Sequence, residues 1–134
     1  MAARIAITIS SVDRQSLIDA LNVLAFANRL WLARNQHTAP LYSSRVLFRP
    51  EPFEGSGVEL YQTIPEVLAQ GFGDCDDLAG WRCAELLNSG VRAECDLLSL
   101  GPRTHHAVVR YAGRVEDPAH IIKRMEAQRW YSDR

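Results

Sequence analysis

Gly71-Phe72-Gly73-Asp74-Cys75-Asp76-Asp77-Leu78-Ala79 is the stretch on which the reading of this chain turns. The glycines and Asp74 deliver a cysteine to the first turn of a helix. Asp74 is a good N-cap, and Asp77 stands three residues later, where a carboxylate reaches back to a free backbone N–H. A thiol at a helix N-terminus faces the positive end of the macrodipole, which is expected to lower its pKa and raise the nucleophilic thiolate fraction. The glycines leave room for another group to approach the sulfur. A base for Cys75 and an orienter for that base are then what the rest of the chain must supply.

The periodic positions Leu78, Ala79, Arg82, Cys83, Leu86 and Leu87 predict a helix from Cys75 to about Asn88, stopped by Gly90. Cys83 lies two turns along that helix and reads as a small buried hydrophobe. Upstream, Thr63-Ile64-Pro65-Glu66 has the form of a capping box opening a short helix that ends at Gly71. Downstream, Val91, Ala93, Cys95 and Leu97 alternate with polar residues as a half-buried strand does, with Cys95 as core filler. Gly101-Pro102-Arg103 makes a turn. Strands follow over His105–Tyr111 and Arg114–Glu116, joined by a two-residue loop at Ala112-Gly113.

That loop fixes a register. Tyr111 pairs with Arg114, Arg110 with Val115 and Val109 with Glu116; continued, Val108 pairs with Asp117 and His106 with Ala119. His106 and Asp117 then share a face as diagonal neighbours, about 7–8 Å apart at Cα and within reach of an imidazole–carboxylate hydrogen bond. His105 points to the other face, and a one-residue change in loop length would exchange the two histidines. Cys75 becomes a nucleophile, His106 its base and Asp117 the group that fixes the imidazole. Backbone N–H groups at the start of the Cys75 helix are candidates for half an oxyanion hole. Gln62 is the expected side-chain donor, with Gln70 and Tyr61 behind it, while Asp74 and Asp77 support the nucleophile turn.

The order Cys, His on a strand, Asp after the next strand resembles the transglutaminase-like superfamily within the papain-like fold. Gly73-Asp74-Cys75-Asp76-Asp77-Leu78-Ala79 resembles its nucleophile motif, His106-Ala107-Val108-Val109 its histidine strand, and Glu116-Asp117-Pro118 its aspartate motif. Ile64–Gly71 is similar to the same region of small transglutaminase-like proteins encoded among tailed-phage structural genes. The likeness covers roughly residues 60–120. It implies an α+β fold with a papain-like core, the Cys-bearing helix packed on a small antiparallel sheet. It also implies thiol-dependent acyl transfer: a cysteine peptidase, an amidase or a transglutaminase. Two departures stand out. The segment between Cys75 and His106 is short, and Val108 occupies a place where the family often has an aromatic residue. The resemblance also admits, as an alternative, a virion structural or assembly subunit that keeps the fold with little or no turnover, its partners being other phage structural proteins or further copies of the chain.

The remaining segments are read from pattern. Isoleucine alternates over residues 4–9, giving a strand with one buried face or an arm within residues 1–12. Ser11 or Asp13 caps a long helix from about residue 14 to 35, whose inner side is Leu17, Leu21, Leu24, Asn28, Trp31 and Leu32; Trp31 and Phe26 are expected in the core. Residues 36–60, broken by Pro40, Pro50, Pro52, Gly55 and Gly57, form a long connection with a short strand near Arg45–Phe48. That connection is either a cleft wall or a simple surface link. After Asp117-Pro118 the spacing of Ile121, Ile122, Met125 and Trp130 is weakly helical, a tail over residues 119–134 that packs or docks.

At 134 residues the chain is expected to be one domain with a core of its own. A net charge of -1 gives no electrostatic basis for nucleic acid or an anionic membrane as partner. No apolar run approaches a membrane span, and Arg4 is followed by no signal core, so cytoplasmic synthesis is the expectation. Three cysteines without framework spacing read as reduced thiols. Cys75, its neighbouring aspartates and His106 lack the paired spacing of a metal site, so neither metal nor cofactor is expected. The substrate that fits the triad is a peptide or protein.

Overall fold

A computed structural model of the chain describes residues 4–8, 13–50, 58–101 and 104–132. The architecture is mixed α+β: four α-helices with three small sheets among the described residues. Strand β1 (Arg4–Thr8) pairs antiparallel with β3 (Val58–Gln62). Ile5 and Ile7 of the alternating run thus lie on a strand, joined to one that the proline- and glycine-rich sequence before Gln62 did not announce, while Ile9 lies outside the described residues. The expected buried face of β1 lies outside the described side chains.

Helix α1 spans Arg14–Arg34, and Asp13 is its cap: the carboxylate accepts the Gln15 N–H at 3.1 Å. Leu17, Leu21, Leu24 and Asn28 are buried as the period requires, and Trp31 is half-buried. Phe26 departs from expectation. It is 58% exposed because it lies on the side of α1 turned away from the protein. Asn28 is wholly buried, and its Oδ1 accepts the N–H of Ile64 at 3.0 Å.

The connection after α1 is more ordered than its composition suggests. A 3₁₀ turn at Leu41–Ser43 is tied to the Cys-bearing helix, since the Leu41 N–H donates to the Glu85 carboxylate at 2.7 Å. Strand β2 (Leu47–Phe48) lies parallel to β4 (Phe72–Gly73), the two residues that lead into the nucleophile turn. Between them, α2 (Ile64–Gln70) begins after Thr63 and closes at Gly71, which is in the left-handed region at φ 88°. The Thr63–Glu66 capping box does not form. Thr63 occupies the N-cap position without a side-chain cap bond, and Pro65 in the first turn already removes one N–H that needs a partner.

Helix α3 (Cys75–Asn88) packs between α1 and the antiparallel meander β5 (Ala93–Gly101), β6 (Thr104–Tyr111) and β7 (Arg114–Glu116). The hairpin register is the expected one: Tyr111 pairs with Arg114, Arg110 with Val115 and Val109 with Glu116. Ala112 and Gly113 both have positive φ, 51° and 71°, as a two-residue type I′ turn demands. Pairing does not run on to Asp117 and Ala119. Pro118 lacks a ladder N–H and its fixed φ suits a first helical turn, so the chain turns into α4 (Pro118–Ser132).

Two apolar clusters result. One joins Leu17, Leu21 and Leu24 of α1 to Ala79, Cys83 and Leu86 of α3 and to Cys95, Leu97, Ala107 and Val109 of the sheet. The other gathers Leu41, Val46, Ile64, Val67, Leu78, Trp81, Ala119 and Ile122. Cys83 and Cys95 are the buried hydrophobes expected. The start of the tail is therefore core, whereas Trp130 and Tyr131 at its far end are exposed.

Candidate functional site

Cys75 is the first residue of α3, and it packs against both apolar clusters at once. The turn that presents it is held by the expected capping box. Asp74 accepts the Asp77 N–H at 3.0 Å, and Asp77 accepts the Asp74 N–H at 3.1 Å. The other oxygen of Asp77 accepts the Gln62 N–H at 2.8 Å, which ties β3 to the same turn. Gly73 allows this close fit. A Cβ there would stand 3.1 Å from the Cβ of Asp77.

The acidity of the thiol runs against the helix-end argument. Burial pushes the Cys75 thiol well above its ordinary range, and Asp76 pushes the same way, its carboxylate 3.9 Å from the sulfur. A backbone N–H from Ala107 opposes them, but Asp74 and Asp77 add further negative charge. A macrodipole equivalent to half a charge is outweighed by desolvation together with three carboxylates. Asp77 itself is raised, first by burial and then by the neighbouring charge of Asp74, despite the two backbone N–H groups it accepts.

Ala107 belongs to β6 and is one residue from His106. Strand alternation sets His106 with Val108 and Arg110 on one face, and His105 with Ala107, Val109 and Tyr111 on the other. His106 Nε2 lies 2.7 Å from Asp117 Oδ2. Asp117 Oδ1 accepts the His120 N–H at 3.1 Å, so the same carboxylate caps α4. The side chain of His105 is half-buried, and its Nδ1 has no hydrogen-bond partner among the described residues. Asp117 thus reaches His106 from a helix cap rather than from a paired strand position.

Glu116, the residue before Asp117, fixes the end of β7 in a polar network. It accepts from Arg82 Nε at 2.6 Å, from the Tyr42 hydroxyl at 2.5 Å and from the Tyr111 hydroxyl at 2.6 Å. Burial raises its pKa, but Arg82 and the two tyrosines outweigh burial and hold the carboxyl below the usual range. Sequence reading missed this network, because Tyr42 and Arg82 come from distant elements and share no motif with Glu116.

Of the expected oxyanion donors, Tyr61 is in the core. The Gln62 amide is engaged with Gln70, its Nε2 3.2 Å from Gln70 Oε1, and Gln70 also donates to the Phe72 carbonyl at 2.7 Å. His37 and His120 are exposed. Two open grooves lie elsewhere on the described surface: one between β2 and α4, lined by Phe48, Arg49, Lys123 and Trp130, the other beside Arg92, Arg110 and Tyr111. Cys75, His106 and Asp117 line neither. No group of three or more His, Cys, Asp or Glu side chains is arranged to hold a metal ion among the described residues, and no helix there is long and apolar enough to cross a membrane. No protein-family model matches this chain, and no curated protein or solved structure gives a significant match to it.

Proposed function

We propose that the chain is a thiol-dependent acyl-transfer enzyme of transglutaminase-like type, with a papain-like core, acting on peptide or amide bonds. One observation carries the reading: His106 Nε2 is held by Asp117 Oδ2 at 2.7 Å, on the strand whose Ala107 backbone N–H favours the Cys75 thiolate. With Nε2 engaged, Nδ1 is the imidazole nitrogen left to take the thiol proton. The sulfur then adds to the carbonyl carbon, and the oxyanion is received by backbone N–H groups at the start of α3. The amine leaves with the proton from His106. Water or a second amine resolves the thioester and restores the thiol. Because burial and nearby carboxylates keep the thiol protonated, proton transfer accompanies attack rather than preceding it.

The same raised thiol favours a second reading: an assembly subunit, by resemblance one of a tailed-phage particle, that keeps the fold without turnover. Iodoacetamide labelling across pH separates the two. The enzyme reading expects Cys75 to label at neutral pH in a manner that His106→Ala abolishes. Slow labelling, indifferent to His106 and rising only in alkali, sinks it, and co-purification with assembled particles then favours the assembly subunit.

A further inference from the structure

Helix α1 has a second, exposed face. Ser16, Asp19, Val23, Phe26, Leu30 and Ala33 follow one another at alternating spacings of three and four, and every one of them is exposed. That spacing keeps them in a narrow seam along the helix, the seam along which two helices pack. At its centre the exposure is large: 56% for Val23, 58% for Phe26 and 49% for Leu30. The inner residues Leu17, Leu21, Leu24 and Asn28 are meanwhile fully committed to α3 and the sheet. Core packing therefore does not account for the outer stripe.

We infer that this stripe is the contact between two copies of the chain, with α1 packed antiparallel against α1 of the second copy about a two-fold axis near Phe26 and Leu30. The charges select the occupant and the direction. The N-terminal end of the stripe is acidic, with Asp13 and Asp19, and the C-terminal end is basic, with Arg34. In the antiparallel arrangement Asp19 comes within one helical turn of the partner's Arg34, twice by symmetry, and the two macrodipoles oppose each other. Parallel pairing would instead set like charges side by side. A surface complementary to its own two-fold image is what an isologous contact requires. In the centred register Phe26 meets Leu30 and Val23 meets Ala33 of the partner, a large residue against a smaller one at each level. The 21-residue helix supplies an interface roughly 30 Å long.

The test is sedimentation of the full chain over about 1–100 μM, with melts recorded for each variant. A monomer–dimer equilibrium is expected in that range. Phe26→Glu should raise the dimer Kd by about 30-fold or more, as loss of a central aromatic anchor does. Its melt should otherwise match that of the wild-type monomer, since Phe26 is largely exposed and belongs to neither apolar cluster. Phe26→Ser gives the same answer should the glutamate variant fold poorly. Asp19→Arg and Arg34→Asp should each weaken the dimer by about tenfold, and the double exchange should restore it. A chain that stays monomeric throughout overturns the inference. So does a dimer that ignores Phe26→Glu. Failure of the double exchange to restore affinity overturns the antiparallel pairing.

Discussion

The carboxylate of Asp117 holds two groups at once: Oδ2 lies 2.7 Å from His106 Nε2, and Oδ1 accepts the backbone N–H of His120 at 3.1 Å. Helix capping and imidazole orientation are therefore joined in one residue, and substitution separates them. Asparagine caps helices about as well as aspartate, so Asp117→Asn should leave the melting temperature within a few degrees of wild type. Neutralising the partner of His106 should nevertheless slow His106-dependent labelling of Cys75 by at least about tenfold. Asp117→Ala removes both roles and should add about 1 kcal/mol of destabilisation. Equal labelling by the Asp and Asn forms would remove Asp117 from the proposed chemistry.

Cys75 offers a pH test with a definite sign. Its thiol is raised, so in the folded protein the thiolate fraction at neutral pH lies below that of an ordinary cysteine. The neutral form is the one the fold favours. Any contribution of Cys75 to stability is thus present below the ordinary thiol pKa of about 8.5 and is lost as pH rises beyond it. In a His106→Ala background, where the base is gone, labelling should climb steeply only in alkali. Adding Asp76→Asn removes the carboxylate nearest the sulfur and should speed labelling at pH 8 by about three- to tenfold. No acceleration would mean that the Asp76 charge does not reach the thiol.

Glu116 contributes to the acid limb of stability. Its folded pKa is depressed, so the stability it contributes is present above the unfolded value near 4.5 and is lost as pH falls through the folded one. Glu116→Gln should cost about 2 kcal/mol at pH 7, since Arg82 and two tyrosine hydroxyls lose a charged acceptor. The difference between variant and wild type should shrink toward pH 3. Chemical denaturation at several pH values reads this directly, and a loss independent of pH would contradict the proposed charge network.

Gly80 sets the crossing of α1 and α3. A Cβ at this position would lie 2.6 Å from Leu24 Cδ2 and 2.8 Å from its Cγ, and Leu24 is fully buried with no room to withdraw. Alanine in place of a mid-helix glycine gains about 1 kcal/mol of propensity, while overpacking costs about 1–3 kcal/mol. The steric effect should prevail, so Gly80→Ala should be net destabilising by about 1 kcal/mol. Pairing it with Leu24→Ala should cost less than the two single changes added together. Additive losses in denaturation would place the strain elsewhere.

Much of this was legible in the sequence because it is local. The Asp74–Asp77 capping box, the extent of α3, the end of α2 at Gly71 and the Ala112-Gly113 turn each depend on residues within one turn of one another. The hairpin register followed from the length of that turn. β3 escaped, because a strand identified by alternation must carry its own pattern, whereas Val58–Gln62 is recruited by pairing with Arg4–Thr8. Phe26 was misassigned because a hydrophobic residue near the inner stripe of a helix reads as core until the helix's rotation is known.

Local pattern along the chain places Cys75 at a helix start, His106 on a strand and Asp117 just beyond the next strand. Periodicity and turn chemistry act over a few residues and are written in order along the chain. The raised pKa of Cys75, by contrast, follows from packing. Burial and the Asp74, Asp76 and Asp77 carboxylates act through space and depend on how α3 seats against the sheet, and together they outweigh the local pull of the helix end. Tertiary structure also decided that Asp117 reaches His106 from the cap of α4, since Pro118 ends the pairing and the fold turns that helix back across the second apolar cluster.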